Sequence, residues 1–281
     1  MMKKQTVQKV VLITTFLCLT TQFAITQEPP KPFKFVVYGD SRYGDDVHRK
    51  LVSLITTREP EIVLHTGDMV NKGTRLKEWE TFDKITEPIR TRSAFYPARG
   101  NHDVGGTNYE KRVKAPYTSG TGKYYSFDKE ECHFVCVDTT THYTKGSTQY
   151  QWLDKDLAKA QTTAKHIFVF MHEAPYSIGT HGSNTRLRKS ICPLFTKYGV
   201  RVVFSGHDHI YYRTKRDEVV YFVSGGGGAS PYPCDPAKGA INGDKWESVQ
   251  HYIYVEVVGK EVNFQVIRAN KTALDRYTIR E

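Results

Sequence analysis

Five short apolar runs in this chain each stop abruptly at a residue that can ligate a metal ion. Phe35 to Gly39 leads into Asp40, and Ile62 to Gly67 into Asp68. Phe95 to Gly100 leads into Asn101 and His102, and Ile167 to Met171 into His172. Val202 to Gly206 leads into His207 and His209. In four of the five a glycine directly precedes the ligand, which allows a sharp exit from a strand and a close approach of backbone. Ligands at strand ends all face one rim, which is where open α/β sheets bind their ligands.

Helical signals fill the gaps between these runs. Val47 to Thr57, Leu76 to Ile89, Tyr150 to Gln161 and Leu187 to Tyr198 have helical spacing, with Pro193 placed to break or kink the last. Tyr124 to Phe127 and His133 to Val137 read as adjacent strands. Val219 to Val223, Tyr252 to Val257 and Val262 to Ile267 end the chain in β structure. Strands alternating with helices predict an α/β fold with a mostly antiparallel tail. Wholly apolar strands predict sheets covered on both faces, and leave one sheet or two open. At 39% hydrophobic and 12% aromatic over 281 residues, the chain can bury a sizeable core.

The first segment reads as a leader and not as part of the fold. Lys3, Lys4 and Lys9 precede an apolar stretch, Val10 to Leu19, that is too short to span a bilayer comfortably. Polar and small residues follow, so residues 1–27 are expected to be a secretory signal peptide cleaved near Ala24 to Gln27. Residues 28–281 then form one domain, secreted or periplasmic, and no later apolar run is long enough to cross a membrane. The leader holds three Lys and no acid, which reduces the formal charge from +10 to +7. A basic surface attracts anionic substrates. The charges are scattered, with small clusters only at Arg186, Arg188, Lys189 and at Arg213, Lys215, Arg216, so no specific nucleic-acid partner is expected. Four cysteines remain, Cys132, Cys136, Cys192 and Cys234, which allow three pairings in an exported chain. Cys132 and Cys136 share one extended strand and are not expected to pair, and Cys136 reads as a buried free thiol.

Carboxylate, amide carbonyl and imidazole suit Mn, Fe, Zn or Mg. A shared carboxylate can bridge two ions, and a pair about 3.5–4 Å apart clamps an in-line displacement at phosphorus.

The blocks Gly39-Asp40, Gly67-Asp68, Gly100-Asn101-His102-Asp103, His172 and Gly206-His207-Asp208-His209 resemble the calcineurin-like metallophosphoesterase superfamily. The resemblance runs from about Phe35 to Arg268. The stretches His172-Glu-Ala-Pro-Tyr and Gly206-His-Asp-His-Ile-Tyr-Tyr-Arg-Thr are similar to the purple acid phosphatase branch. The resemblance implies a four-layer α/β/β/α sandwich of two mixed sheets with a dinuclear site, its ions Fe, Mn or Zn. It implies that Asp68 bridges both ions, that Asn101, His172 and His207 complete one site, and that Asp40 and His209 serve the other. It further implies that His102 acts on the leaving-group oxygen, with Asp103 orienting it through a hydrogen bond.

The chain departs from the family pattern at two positions. Arg42 stands where most of the superfamily has a His, and Asn71 where purple acid phosphatases have a Tyr. Arg cannot ligate a cation, so the second site is one protein ligand short unless Tyr43 or a water fills it. Arg42 itself has two readings, a bidentate donor to phosphate or a salt bridge to Asp45 or Asp46. His181, in the loop after His172, could line the substrate pocket, with an ordinary loop residue the preferred reading, and Gly225 to Gly228 is read as a tight turn near the rim. The resulting expectation is an exported phosphoesterase acting on small phosphate monoesters through metal-bound hydroxide. A phosphodiesterase and a metal-binding pseudoenzyme are the alternatives.

Overall fold

The computed structural model describes residues 1–3, 31–113 and 121–280. The expected leader, apart from its first three residues, lies outside the described residues, as does Cys18. The chain divides into two units, Met1–Pro30 and Lys31–Glu281, and every strand and helix described belongs to the second.

In chain order the elements begin with β1 (Phe33–Tyr38), α1 (Asp45–Thr56), β2 (Ile62–His65), α2 (Leu76–Arg90), β3 (Ala94–Pro97) and α3 (Asn108–Arg112). There follow β4 (Tyr125–Lys129), β5 (Cys132–Val137), α4 (Thr148–Thr163), β6 (His166–Met171), α5 (Thr185–Ser190), α6 (Cys192–Lys197) and β7 (Val202–Ser205). The chain closes with β8 (Tyr211–Arg216), β9 (Val219–Ser224), β10 (Lys245–Glu247), β11 (His251–Val258), β12 (Glu261–Arg268) and β13 (Ala273–Ile279).

These strands form two mixed sheets, ordered β13-β12-β11-β1-β2-β3 and β10-β8-β9-β7-β6-β5-β4. In the first, β1, β2 and β3 run parallel, with Val37 opposite Leu64 and Leu64 opposite Tyr96, while β11 to β13 are antiparallel. In the second, β5, β6, β7 and β9 are parallel, flanked by antiparallel β4 and β8.

Successive strand side chains point to opposite faces, and here both faces are covered. Phe35 and Val37 face inward against Phe134, Phe168 and Phe204 of the other sheet. The Phe35 ring meets Phe134 edge-on at 5.3 Å and Phe168 at 5.3 Å. Val36 and Tyr38 face the other way, onto Leu51 and Ile55 of α1 and Ile85 and Ile89 of α2. On the second sheet, Val135, Val169 and Val203 pack against Leu153 and Leu157 of α4, Leu187 of α5 and Phe195 of α6. Truncating a ring as enclosed as Phe35 costs about 3–5 kcal/mol. The helices hold the sheets from outside and leave the strand ends free to carry the rim.

Three expectations change. The single helix over Leu187 to Tyr198 is two, α5 and α6, divided at Ile191, with Pro193 in the first turn of α6 where its missing N–H is not needed. Tyr211 and Tyr212, which at a turn could stack on a substrate ring, lie instead in β8 and are buried, their hydroxyls donating to Asp275 at 2.6 Å and Asp244 at 2.7 Å. Strand β13 was not expected; its half-exposed residues lack an apolar run, and pairing with β12 places it. Cys132, Cys136, Cys192 and Cys234 are all free, Cys136 buried as expected. No helix among the described residues is long and apolar enough to cross a membrane.

Candidate metal centre

Asp40 follows the end of β1, Asp68 the end of β2 and Asn101 the end of β3. His172 follows β6 and His207 follows β7. These are the carboxyl ends of parallel strands, so both sheets deliver their ligands to one rim. The sharp exit falls on the ligands themselves: Asp40 (φ 58°), Asp68 (φ 55°) and His207 (φ 69°) are left-handed. Such conformations cost of order 1–3 kcal/mol each and persist where the surroundings enforce them. Of the preceding glycines, Gly67 (φ 99°) shares in that exit, and all four serve close approach. A Cβ on Gly100 would lie 2.1 Å from Asp68 Oδ1, and one on Gly206 would lie 2.3 Å from Asp40 Oδ2. The Gly225 to Gly228 run packs in the same way, with Gly227 N–H donating to the Gly39 carbonyl at 2.7 Å.

Three imidazoles are oriented by backbone carbonyls. His172 Nδ1 donates to Thr66 O at 2.9 Å, His209 Nδ1 to Ser230 O at 2.9 Å and His102 Nδ1 to Asn71 O at 2.8 Å. A carbonyl only accepts, so each bond fixes the tautomer and leaves Nε2 with a lone pair directed away from it. His172 Nε2 faces Asn101 Oδ1 at 2.9 Å, Asp68 Oδ1 at 3.4 Å and His207 Nδ1 at 3.1 Å. His209 Nε2 lies 3.7 Å from Asp40 Oδ1. One ligand atom each from Asp40, Asp68 and His172 lie within 4.8 Å of one another.

Burial and the charge of Asp68 push the Asp40 carboxyl well above the ordinary value. Burial alone would raise Asp68 too, but His172, the His102 N–H and Arg42 outweigh it and hold it down. Burial lowers His207 to about 3 and His209 to about 4, the latter aided by the positive charge of Arg42. Both rings are therefore neutral at pH 7, with lone pairs available. Two buried carboxylates beside converging imidazole and amide lone pairs make a donor set that fits a hard or borderline cation. Asp68, Asn101, His172 and His207 would hold one such ion.

Asp103 does not orient His102. Its two oxygens accept the backbone N–H groups of Gly100, Asp68, Met69 and Val70 at 2.8–3.2 Å, and the Asn71 carbonyl orients the His102 ring instead. Asp103 is 1% exposed, and burial with the charge of Asp68 pushes its carboxyl up to about 8 despite those donors. His102 reaches the site from the other side, its N–H on Asp68 Oδ1 at 2.9 Å and its Nε2 4.0 Å from Asp68 Oδ2.

Arg42 turns inward, its Nε donating to Asp68 Oδ2 at 3.1 Å and Nη2 to His209 Nε2 at 3.4 Å. The salt bridge to Asp45 or Asp46 is absent, since those carboxylates face Arg49. Tyr43 points outward, 73% exposed, and does not fill the vacant ligand position. His181, read as an ordinary loop residue, stacks on His207 at 4.1 Å, and Tyr232 stacks on His209 at 4.0 Å. Tyr232 sits in a Ser-Pro-Tyr-Pro segment that carries no motif, and the orienting carbonyls of Thr66, Asn71 and Ser230 leave no mark in side-chain chemistry.

Residues 33–211 match the family described as calcineurin-like phosphoesterase. That span contains every ligand candidate. Purple acid phosphatase 22 of Arabidopsis thaliana is 30% identical over 205 residues, which is 67% of this chain and 47% of that protein. The chain thus spans about half the length of such relatives. Among solved structures, the purple acid phosphatase PPD1 from yellow lupin superposes with a TM-score of 0.79 at 17% identity, covering 89% of this chain and 54% of that one. GAP50, the anchor in the inner membrane complex of Plasmodium, superposes with a TM-score of 0.68 at 16% identity, over 89% and 88% of the two chains.

Proposed function

The chain belongs to the calcineurin-like phosphoesterase family, and on that premise we propose that it is an exported, metal-dependent phosphoesterase acting on small phosphate monoesters. The observation that carries the reading is the convergence of His172 Nε2, Asn101 Oδ1 and Asp68 Oδ1 at 2.9–3.4 Å, with the His172 tautomer fixed from behind by Thr66. A metal held there would supply charge to phosphate oxygens and lower the pKa of a bound water.

The chain's own residues do the rest. His102 keeps Nδ1–H on the Asn71 carbonyl, so its Nε2 edge is the one presented to the site. In its protonated form that edge donates to the leaving-group oxygen. Its ring is partly exposed at the rim, where an ester alcohol enters and departs, in contrast to the wholly buried His172. The preference for monoesters follows the similarity to purple acid phosphatases. Export follows from the leader-like first 27 residues.

The test is hydrolysis of nitrophenyl phosphate against the matching diester, with Mn, Fe or Zn added, from pH 5 to 9. Metal-dependent turnover that favours the monoester supports the reading, and a preference for the diester makes the chain a phosphodiesterase. Absence of turnover with every metal sinks both.

A further inference from the structure

The two halves of the site differ in what faces their lone pairs. On one side, His172 Nε2 and Asn101 Oδ1 meet at 2.9 Å, with no cationic side chain among the described residues bonded to either. On the other, Asp68 Oδ2 and His209 Nε2 are both engaged by one guanidinium, at 3.1 and 3.4 Å. The His209 proton is committed to Ser230, so its Nε2 is a true acceptor for Arg42. Arg42 is only 11% exposed and Asp68 1%, which keeps the pair out of the screening solvent.

We propose that the Arg42 guanidinium replaces the second metal ion, so that the chain binds a single ion through Asp68, Asn101, His172 and His207. The inference rests on the metal-dependent reading of the site given above. An ion ligated by His209 Nε2 and Asp68 Oδ2 would lie about 2.0–2.3 Å from each. The guanidinium nitrogens sit over those same two atoms, and a like charge so close is repelled. Arg42 is always protonated, so it cannot turn from occupant into ligand as a His would. The backbone holds it there. Ser41 and Arg42 N–H groups both point to the Asp68 carbonyl, at 3.1 and 3.4 Å, and left-handed Asp40 and Tyr43 bracket the turn. Nη1 makes no hydrogen bond among the described residues, so it remains a donor for a phosphate oxygen beside the single ion.

The experiment loads the purified full chain with Mn(II), removes free metal and counts ions per chain by mass spectrometry. Electron paramagnetic resonance then distinguishes an isolated ion from an exchange-coupled pair. The expected result is one ion per chain with an isolated-ion spectrum. Arg42→His supplies a ligand in place of the guanidinium and is expected to take up two ions and give a coupled spectrum. Arg42→Gln, which removes the charge at similar length, is expected to bind a second Mn(II) at least about tenfold tighter than the parent. Two ions and a coupled spectrum in the parent would overturn the inference and leave the metal-dependent reading intact. No ion in the parent would overturn that reading as well. Folded Arg42 variants that both stay at one ion would remove Arg42 as the residue that excludes the second.

Discussion

Asp103 Oδ2 accepts the backbone N–H of Asp68 at 2.9 Å, so a buried carboxyl in the segment after β3 holds in place the ligand after β2. Its partner oxygen collects the next two N–H groups, Met69 and Val70, and the Gly100 N–H joins from its own segment. The left-handed backbone at Asp68 is enforced by this bracket.

Asp103→Asn therefore replaces one of the two accepting oxygens by an amide N–H₂ that faces backbone donors. We expect a loss of about 1–3 kcal/mol of stability, read by chemical denaturation. Unchanged stability would show that the bracket does not hold the Asp68 backbone.

His102→Ala is expected to lower turnover by about a hundredfold or more with metal content unchanged. The ring is bonded to a carbonyl and the Asp68 contact is made by the His102 backbone, so truncation leaves both segments in place. Loss of metal together with activity would assign His102 a structural role.

Asp68→Asn is expected to lose metal and activity together. Asp68 Oδ1 faces His172 Nε2 at 3.4 Å, and an uncharged amide there removes the carboxylate that an ion on this side requires. Wild-type metal content in this variant would place the ion elsewhere.

The metal-free chain is expected to lose stability as the pH rises from about 7 to 8. Burial and the Asp68 charge hold the folded-state Asp40 above its ordinary value and push Asp103 from 3.8 to about 8. Above about pH 7 His207 and His209 are neutral in the folded state and largely neutral in the unfolded state, so the raised carboxyls leave the folded state with more bound protons and ionisation opposes folding as pH increases. Bound metal offsets the carboxylate charge and should flatten the slope. Thermal melts with and without Mn(II) at pH 7, 7.5 and 8 would show it. A metal-free melting temperature that climbs with pH would contradict the sign.

Much of this site was legible because ligand chemistry is written in side chains at strand ends. Gly39-Asp40, Gly67-Asp68, Gly100-Asn101-His102, His172 and Gly206-His207-Asp208-His209 come together at one rim in the structure, as expected. Helices α1, α2 and α4 fall within a few residues of their periodic patterns, because an apolar stripe facing a sheet has to repeat at helical spacing. Strand β13 was not legible, since an edge strand with both faces half exposed needs no apolar run. His181 was read as an ordinary loop residue and Tyr232 escaped notice, because a stacking contact on a ligand ring depends on how two distant loops fold back.

The order of the blocks and the apolar runs before them, read from sequence alone, determined the α/β class and which side chains can ligate. Tertiary structure decided what those side chains are bonded to. The family resemblance implies Asp103 as the partner of His102, yet its neighbours in space are four backbone N–H groups, three of them from the segment after β2. Arg42 reads equally as a surface ion pair or a phosphate donor, until the left-handed turn at Asp40 swings it onto Asp68 and His209. Ligand identity is a local property of a residue. The direction of a side chain and the partner it meets are properties of the folded backbone, which only the packing of both sheets defines.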